Sequence, residues 1–269
     1  MDRFAHRPGV TAARDLPERH DEFFWKDVQA ANGSAPAVLD VAVDARLIGA
    51  GPEGETVRTD VAGKRVVPPA TQSFAYDPDG NLTDDDLWIY EWDAENRLKS
   101  VTSAEALPEA DRVRLEFDYD SQWRRIQKTV KHRQSGNWVE ASRTKFIWND
   151  WHLMAELDAN NGDAPIRSYM WGPDISGTFG GAGGVGGLLL VRDHASGEVY
   201  APLYDGNGNI LGLGAMDGSG QLLARYEYAP FGEPLRATGP AADRCPFRFS
   251  SKYTDEETGL VYYGYRYYN

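Results

Sequence analysis

The chain has 269 residues, a formal net charge of −13, a hydrophobic fraction of 41% and one cysteine. The length and apolar content suffice for one large or two smaller domains with a substantial core. The acidic balance argues against binding a nucleic-acid backbone, which needs clustered Lys and Arg, and the lone Cys245 excludes an internal disulfide framework and a cysteine-based zinc site.

Fourteen Tyr, eight Trp and 28 Gly favour an all-β chain of aromatic strands joined by tight turns. Residues 1–22 lack the apolar stretch of a signal peptide, and no apolar run reaches the length of a membrane-spanning helix. Residues 1–27 are charged and aperiodic, expected to be poorly ordered or to form a short helix around Pro17 to Val28. Val38 to Leu47 alternates as a strand, and Thr56 to Thr59 with Lys64 to Val67 reads as a hairpin around Ala62-Gly63, ended by Pro68-Pro69.

A complete strand–turn–strand unit follows at 76–98. Tyr76 closes an extended run. Asp77-Pro78-Asp79-Gly80-Asn81 then supplies turn chemistry: Pro presets φ, Gly80 takes positive φ, and Asp and Asn bond their own backbone. Trp88, Tyr90 and Trp92 follow at a spacing of two, on one face of a strand. Further copies lie at 114–132, where Tyr119-Asp120 precedes the turn, at 145–157, and at 167–174. Two more lie at 199–213, with Tyr204 before Asp205-Gly206-Asn207-Gly208, and at 222–235. The spacing is irregular, roughly 20 to 35 residues, which suits a strand array with varied loops better than a strict solenoid. Between the fourth and fifth copies, a glycine run at 177–187 leads into Leu188 to Val191, expected as a fully buried strand. The last ten residues carry five tyrosines in a strand-like pattern that reads as an open edge.

YDPDGNL with ENRL, FDYDSQWRRI, YMWGPDISG, GAGGVGGLLLV, YDGNGNILGL, GQLLARYEYAPFGEPL and FRFSSKYTDEETGLVYYGYRYYN resemble the Tyr-Asp repeats and repeat-associated core of the Rhs family, over about Ser73 to Asn269. The resemblance implies antiparallel strand–turn–strand repeats forming part of a large spiralling β-sheet shell around a C-terminal polypeptide, often a toxin. On this reading 1–72 is an N-terminal segment, partly disordered and then β-strands joining the same sheet, 73–176 carries Tyr-Asp repeats, and 177–269 is the repeat-associated core. The family's core continues into a segment whose aspartates perform self-cleavage. The sequence given stops before the matching positions, so none of its residues is expected to take that role.

The other motifs have plainer readings. GAGGVG at 181–186 fits G-x-G-x-x-G but leads into a strand, not the helix that a dinucleotide site requires. Asp77, Asp79 and Asn81 begin like a calcium loop, yet Leu82 and Trp88 stand where Gly and Glu are needed, and the turn at Asp205 fails likewise at Met216. The five histidines have no ligand spacing, and His152 reads as a surface or satisfied core residue. No catalytic, cofactor-binding or metal-binding residue is therefore assigned. The structural set is Tyr76, Asp77, Gly80, Asn81, Tyr119, Asp120, Tyr204, Asp205, Gly206, Asn207 and Gly208. The expected function is a non-enzymatic piece of an Rhs-type shell that encloses a polypeptide toxin cargo. Its partners would be that cargo or the remaining shell segments of a longer, secreted or cell-surface protein. The alternative is a cell-surface Tyr-Asp repeat module that binds carbohydrate through its aromatic residues, or binds a neighbouring cell.

Overall fold

The computed structural model describes residues 18–20, 23–25, 28–47 and 57–268. The chain divides into two compact units, Met1–Ile89 with Ser103–Arg112, and Tyr90–Thr102 with Val113–Asn269. Among the described residues the only helices are single 3-10 turns at Glu109–Asp111, Ala159–Asn161 and Phe249–Ser251, so the fold is all-β.

In the first unit β1 (Glu18–His20) pairs antiparallel with β2 (Phe23–Trp25). Poor order or a short helix was the expectation here. The aromatic run Phe23-Phe24-Trp25 favours extended backbone and takes a strand partner instead. β3 (Ala37–Leu47) pairs with β4 (Val57–Val67) in unbroken register from Ala37 opposite Val67 to Leu47 opposite Val57. Ala62-Gly63 therefore sits inside a long strand, opposite Val41 and Ala42, rather than at the expected hairpin turn. Gly63 has ordinary strand φ, so nothing at that position forces a turn. β5 (Ala75–Tyr76) and β6 (Leu82–Asp84) flank the 77–81 turn, and β6 meets β7 (Trp88–Trp92) at Asp84 and Ile89.

The second unit is an antiparallel meander. β8 (Leu98–Ser103), β9 (Val113–Tyr119), β10 (Arg125–Gln134), β11 (Asn137–Asn149), β12 (His152–Asp158), β13 (Ala164–Trp171), β14 (Leu188–Asp193), β15 (Val199–Tyr204), β16 (Ile210–Ala215), β17 (Leu222–Tyr228) and β18 (Pro234–Thr238) follow one another. Each pairs with the next in chain order, without a crossover. Register shifts recur near strand ends, as at Ile147/Trp148, Met170/Trp171, Leu203/Tyr204 and Glu227/Tyr228. Such bulges bend a strand and add local twist, which keeps a long meander from lying flat.

After β18 the chain returns across one face of the meander. β19 (Tyr253–Thr254), β20 (Val261–Tyr262) and β21 (Tyr267–Tyr268) form a separate three-stranded antiparallel sheet. The tyrosine-rich end is thus a hairpin folded over the core rather than one open run, because Tyr262 buries its ring and Tyr267 packs half-buried against it. Phe146, Leu153, Tyr169, Leu188, Tyr200 and Leu213 of the meander enclose the core together with Cys245, Phe247, Tyr253 and Tyr262 of the returning segment. β14 is not wholly buried as expected: Leu188 and Val191 face the core, whereas Leu189 is 47% exposed on the other face, since strand side chains alternate.

Candidate functional site

Four turns repeat one five-residue geometry. At 77–81, 93–97, 120–124 and 205–209, the backbone N–H of the first residue donates to the carbonyl of the fifth, and the N–H of the fourth donates back to the first. The first residue is always Asp, and its Oδ1 accepts the N–H groups of the third and fifth residues. Its Oδ2 accepts a side-chain donor from the fifth: Asn81 Nδ2 at 2.9 Å, Arg97 Nε at 2.8 Å, Arg124 Nε at 2.8 Å and Asn209 Nδ2 at 2.8 Å. The fourth residue has positive φ in each case: Gly80, Asn96, Trp123 and Gly208. Asp77, Asp205 and their turn partners Asn81, Asn207 and Gly208 thus act together within each turn, whereas Gly206 has ordinary φ and open space around it. The carboxylates are held below their ordinary values. At Asp77 the Asn81 amide is the main cause; at Asp205 burial pushes upward, but the Asn209 amide and the turn N–H groups outweigh it. Both oxygens being engaged, these carboxylates serve the backbone.

The aromatic residue at the strand end does a second job. Tyr119 Oη donates to the Leu98 carbonyl at 2.8 Å, Tyr204 Oη to Leu188 at 2.6 Å and Tyr228 Oη to Ile210 at 2.7 Å. Trp148 Nε1 donates to Arg125 at 2.8 Å and Trp171 Nε1 to Leu153 at 2.7 Å. In each case the end of one strand is tied to the start of the strand before it. A ring buries apolar area while its polar tip satisfies a carbonyl next to the turn, a pairing only Tyr and Trp supply. Tyr76 makes no such tie and is exposed. Trp148, Trp171 and Tyr228 were absent from the sequence-derived set. The readable signal is a Tyr or Trp near the strand end, whatever turn follows.

The returning segment closes over a buried ionic group. Arg125, at the start of β10, donates from Nη1 to Asp255 Oδ2 at 2.6 Å, and Lys128 Nζ reaches Asp255 Oδ1 at 3.1 Å and Glu257 Oε2 at 3.0 Å. The guanidinium carbon lies 4.7 Å from the Tyr262 ring centre, 4.9 Å from Phe146, 5.0 Å from Phe117 and 5.1 Å from Tyr253. A cation among ring faces is attracted by their quadrupoles, most strongly where water is excluded. Burial pushes the Asp255 carboxyl up, but Arg125 and Lys128 more than reverse this and hold it ionised. Beyond Tyr262, Tyr267 Oη meets Tyr119 Oη at 2.8 Å. A second group joins Glu156 on β12 to Arg167 Nη1 at 3.1 Å, to Tyr253 Oη at 3.3 Å and to the Tyr169 hydroxyl.

Chemically, these groups hold rather than react. Asp255 is engaged by two cations, and burial raises the Cys245 thiol, so neither is poised as base or nucleophile. His152 departs from expectation: it is 3% exposed, and neither ring nitrogen has a hydrogen-bond partner. No group of three or more His, Cys, Asp or Glu among the described residues could hold a metal ion.

No protein-family model matches the chain. A tRNA3(Ser)-specific nuclease WapA of Bacillus spizizenii is 30% identical over 200 residues, covering 73% of this chain and 7% of that protein. Double-stranded DNA deaminase toxin A of Burkholderia cenocepacia is 26% identical over 284 residues, covering 99% of this chain and 18% of that protein. The chain belongs to the Rhs family of Tyr-Asp repeat proteins. Its fold is similar to a Photorhabdus luminescens Tc holotoxin pore with a mutated TccC3, at a TM-score of 0.50 and 15% identity, covering 85% of this chain and 11% of that one. The Rhs chain spans only a small part of each relative, so the named activities are those of the longer proteins. Among the described residues no helix is long and apolar enough to cross a membrane.

Proposed function

We propose that this Rhs chain is a wall segment of a β shell that encloses a polypeptide toxin cargo, and that it has no catalytic role of its own. The observation that carries the reading is the meander from β8 to β18, paired in chain order and tied strand to strand by the Tyr and Trp donors. A wall needs such a sheet, extendable by adding strands at its edge, and β18 is an edge strand with all five residues exposed. The occupied turn carboxylates and the paired buried charges support a scaffold over an enzyme. The relatives named as a nuclease and a deaminase toxin supply the class of cargo: a toxin domain carried elsewhere in the longer polypeptide. The partners are that domain and the remaining shell strands.

The test uses the longer protein in which this segment lies. Limited proteolysis, followed by mass spectrometry and electron microscopy, should show a hollow particle and a cargo domain that resists protease until the particle is unfolded. A cargo cleaved as fast as the free domain overturns the shell reading. So does nuclease or deaminase activity in the 269-residue chain itself. Saturable binding on a glycan array, with no particle formed, would put the carbohydrate-binding module in its place.

A further inference from the structure

We propose that the bare face of the meander between β11 and β16 is the docking surface for one amphipathic α-helix with an acidic flank, carried by the longer polypeptide of which this chain is a segment. Five exposed aliphatic residues mark the face: Ile147, Met170, Leu189, Leu203 and Leu211, each 39–53% exposed. The inference rests on the shell reading only for the existence of that longer polypeptide.

The register places these residues in one row. In each of three hairpins the strand after the turn carries one extra residue, so that two residues oppose one. Ile147 faces Ala155 with Met154 extra, Met170 faces Leu190 with Leu189 extra, and Leu203 faces Gly212 with Leu211 extra. Their neighbours along the strands, Phe146, Tyr169 and Leu188, are buried in the core on the opposite face. The same position is polar on either side of the row. On β9 and β10, Asp118 accepts from Gln127 Nε2 at 2.7 Å, and on β17 and β18, Glu227 pairs with Arg236. Beside the row, Arg192 lies opposite Ser168, and Arg225 lies opposite Gly212. Both arginines are exposed, and among the described residues neither side chain forms an ion pair, in a chain of net charge −13.

Spacing selects the occupant. Strands stand about 4.8 Å apart, so the hairpins repeat about every 9.6 Å and the row runs about 24 Å from β11 to β16. An α-helix repeats its face every seven residues, about 10.5 Å, and about 16 residues span the row. An extended segment returns to one face every second residue, about 6.7 Å, and falls out of step with the hairpins. Area argues against a second copy of the chain. A band one helix diameter deep, about 12 Å, gives on the order of 300 Å², against about 800 Å² per partner in a stable complex. A second sheet laid over the face would bury Arg192 and Arg225 without counter-ions, which is costly. Carboxylates along one flank of a helix supply those counter-ions and leave both arginines at the rim. Length supplies the source. This chain covers 7% of one relative and 18% of another, so a polypeptide of that size has ample sequence outside the structure to provide the helix.

The experiment titrates the 269-residue chain with a fluorescent peptide carrying leucines at seven-residue repeats and glutamates along one flank. At about 18 residues the peptide is about 27 Å long as a helix. Anisotropy should rise saturably, and the peptide should gain helical circular dichroism on binding. Two control peptides have the same composition, one scrambled and one with leucines at every second place, and each should bind at least about tenfold more weakly. Met170→Glu and Leu203→Glu should lower affinity by a similar factor, whereas Val139→Glu, at an exposed position outside the band, should leave it unchanged. Should the band variants not fold, a charge swap decides. Arg192→Glu combined with Arg225→Glu should prefer a lysine-flanked peptide, reversing the preference of the parent chain. In the longer protein the resident helix should block the probe. The proposal is overturned by the absence of saturable binding, by equal binding of the control peptides, by unchanged affinity in Met170→Glu, or by an unreversed charge preference. Probe binding to the longer protein as strong as to the chain also overturns it, as does dimerisation of the chain that Met170→Glu abolishes. The peptide titration needs no particle, so its failure and that of the shell reading are seen separately.

Discussion

Arg125 and Asp255 stand 130 residues apart in sequence and 2.6 Å apart in space, with side-chain exposures of 1% and 0%. One belongs to the meander and the other to the returning segment, so their contact pins that segment to the sheet. Burying the pair cost both ions their hydration, and the return is the mutual attraction together with the ring faces and Lys128. Removing one partner leaves the other charged and dry. Arg125→Met or Asp255→Asn should each lower stability by about 3–5 kcal/mol, measured by urea denaturation, and reduce soluble yield. The double change Arg125→Met with Asp255→Leu should recover a good part of that loss. Single variants as stable as the parent would show that the pair pins nothing.

The repeated turns distinguish two kinds of glycine. Gly80 has φ +85 with nothing within 4 Å of an added Cβ, so Gly80→Ala should cost only the strain of positive φ, about 1 kcal/mol. Gly208 has φ +78, and its Cβ would stand 2.5 Å from Val185 Cγ1 and 3.0 Å from the backbone nitrogen of Gly186. Gly208→Ala should therefore cost clearly more than Gly80→Ala, and Gly206→Ala should be nearly neutral. Thermal midpoints of the three variants test this order, and a Gly206 variant as damaged as the Gly208 one would refute it.

Much of this was legible because the local rules agree. Asp77 and Asp205, each with Gly at the fourth place and Asn at the fifth, announce their turns through residue types that bond their own backbone. The turns at Asp93 and Asp120 share the geometry with Arg at the fifth place, so the side-chain donor matters rather than its residue type. What local sequence could not supply was long-range pairing. Asp255 reads as one more turn residue; only the fold brings Arg125 and Lys128 to it. The same holds for His152, whose missing partners depend on Phe179, Trp171 and a glycine loop more than 25 residues away in sequence. Ala62-Gly63 misled because a Gly in ordinary strand geometry looks no different from a turn Gly until its register partner is known.

Acid should loosen the glycine loop. Burial pushes the Asp174 carboxyl up, but Ser176 and the N–H groups of Ser176, Ala182 and Gly184 outweigh it, bringing it down to about 2. Unfolded, an aspartate titrates near 3.9. A depressed folded value contributes stability that is full above the unfolded value and is lost as pH falls through the folded one. The loss should run from about pH 4 toward pH 2. Asp174→Asn cannot ionise and should flatten that part of the curve, leaving the remaining slope to the other depressed carboxylates, among them Asp77, Asp93, Asp120, Asp193, Asp205 and Asp255. Denaturation midpoints of parent and variant at steps between pH 5 and pH 2 provide the measurement. Parallel curves would mean that Asp174 contributes nothing through its charge.

Cys245 offers a direct reading of how firmly the returning segment is held. The thiol is fully buried in the core, and burial raises its pKa, so little reactive thiolate is present in the folded chain. An aromatic disulfide reagent should therefore label it only as fast as the segment lifts from the sheet. The rate in the native chain is expected to be orders of magnitude below that in urea. Because Arg125 and Asp255 bind the segment to β10, Asp255→Asn should speed labelling even under conditions where the chain stays folded. A surface change such as Glu95→Gln should leave it alone. If Asp255→Asn and the parent label at the same rate, then Cys245 is reached by a motion that spares the ionic group. Phe247 and Tyr253, whose rings pack on Tyr169 at 5.0 Å and on Phe146 at 5.5 Å, would then be the contacts that hold the segment down.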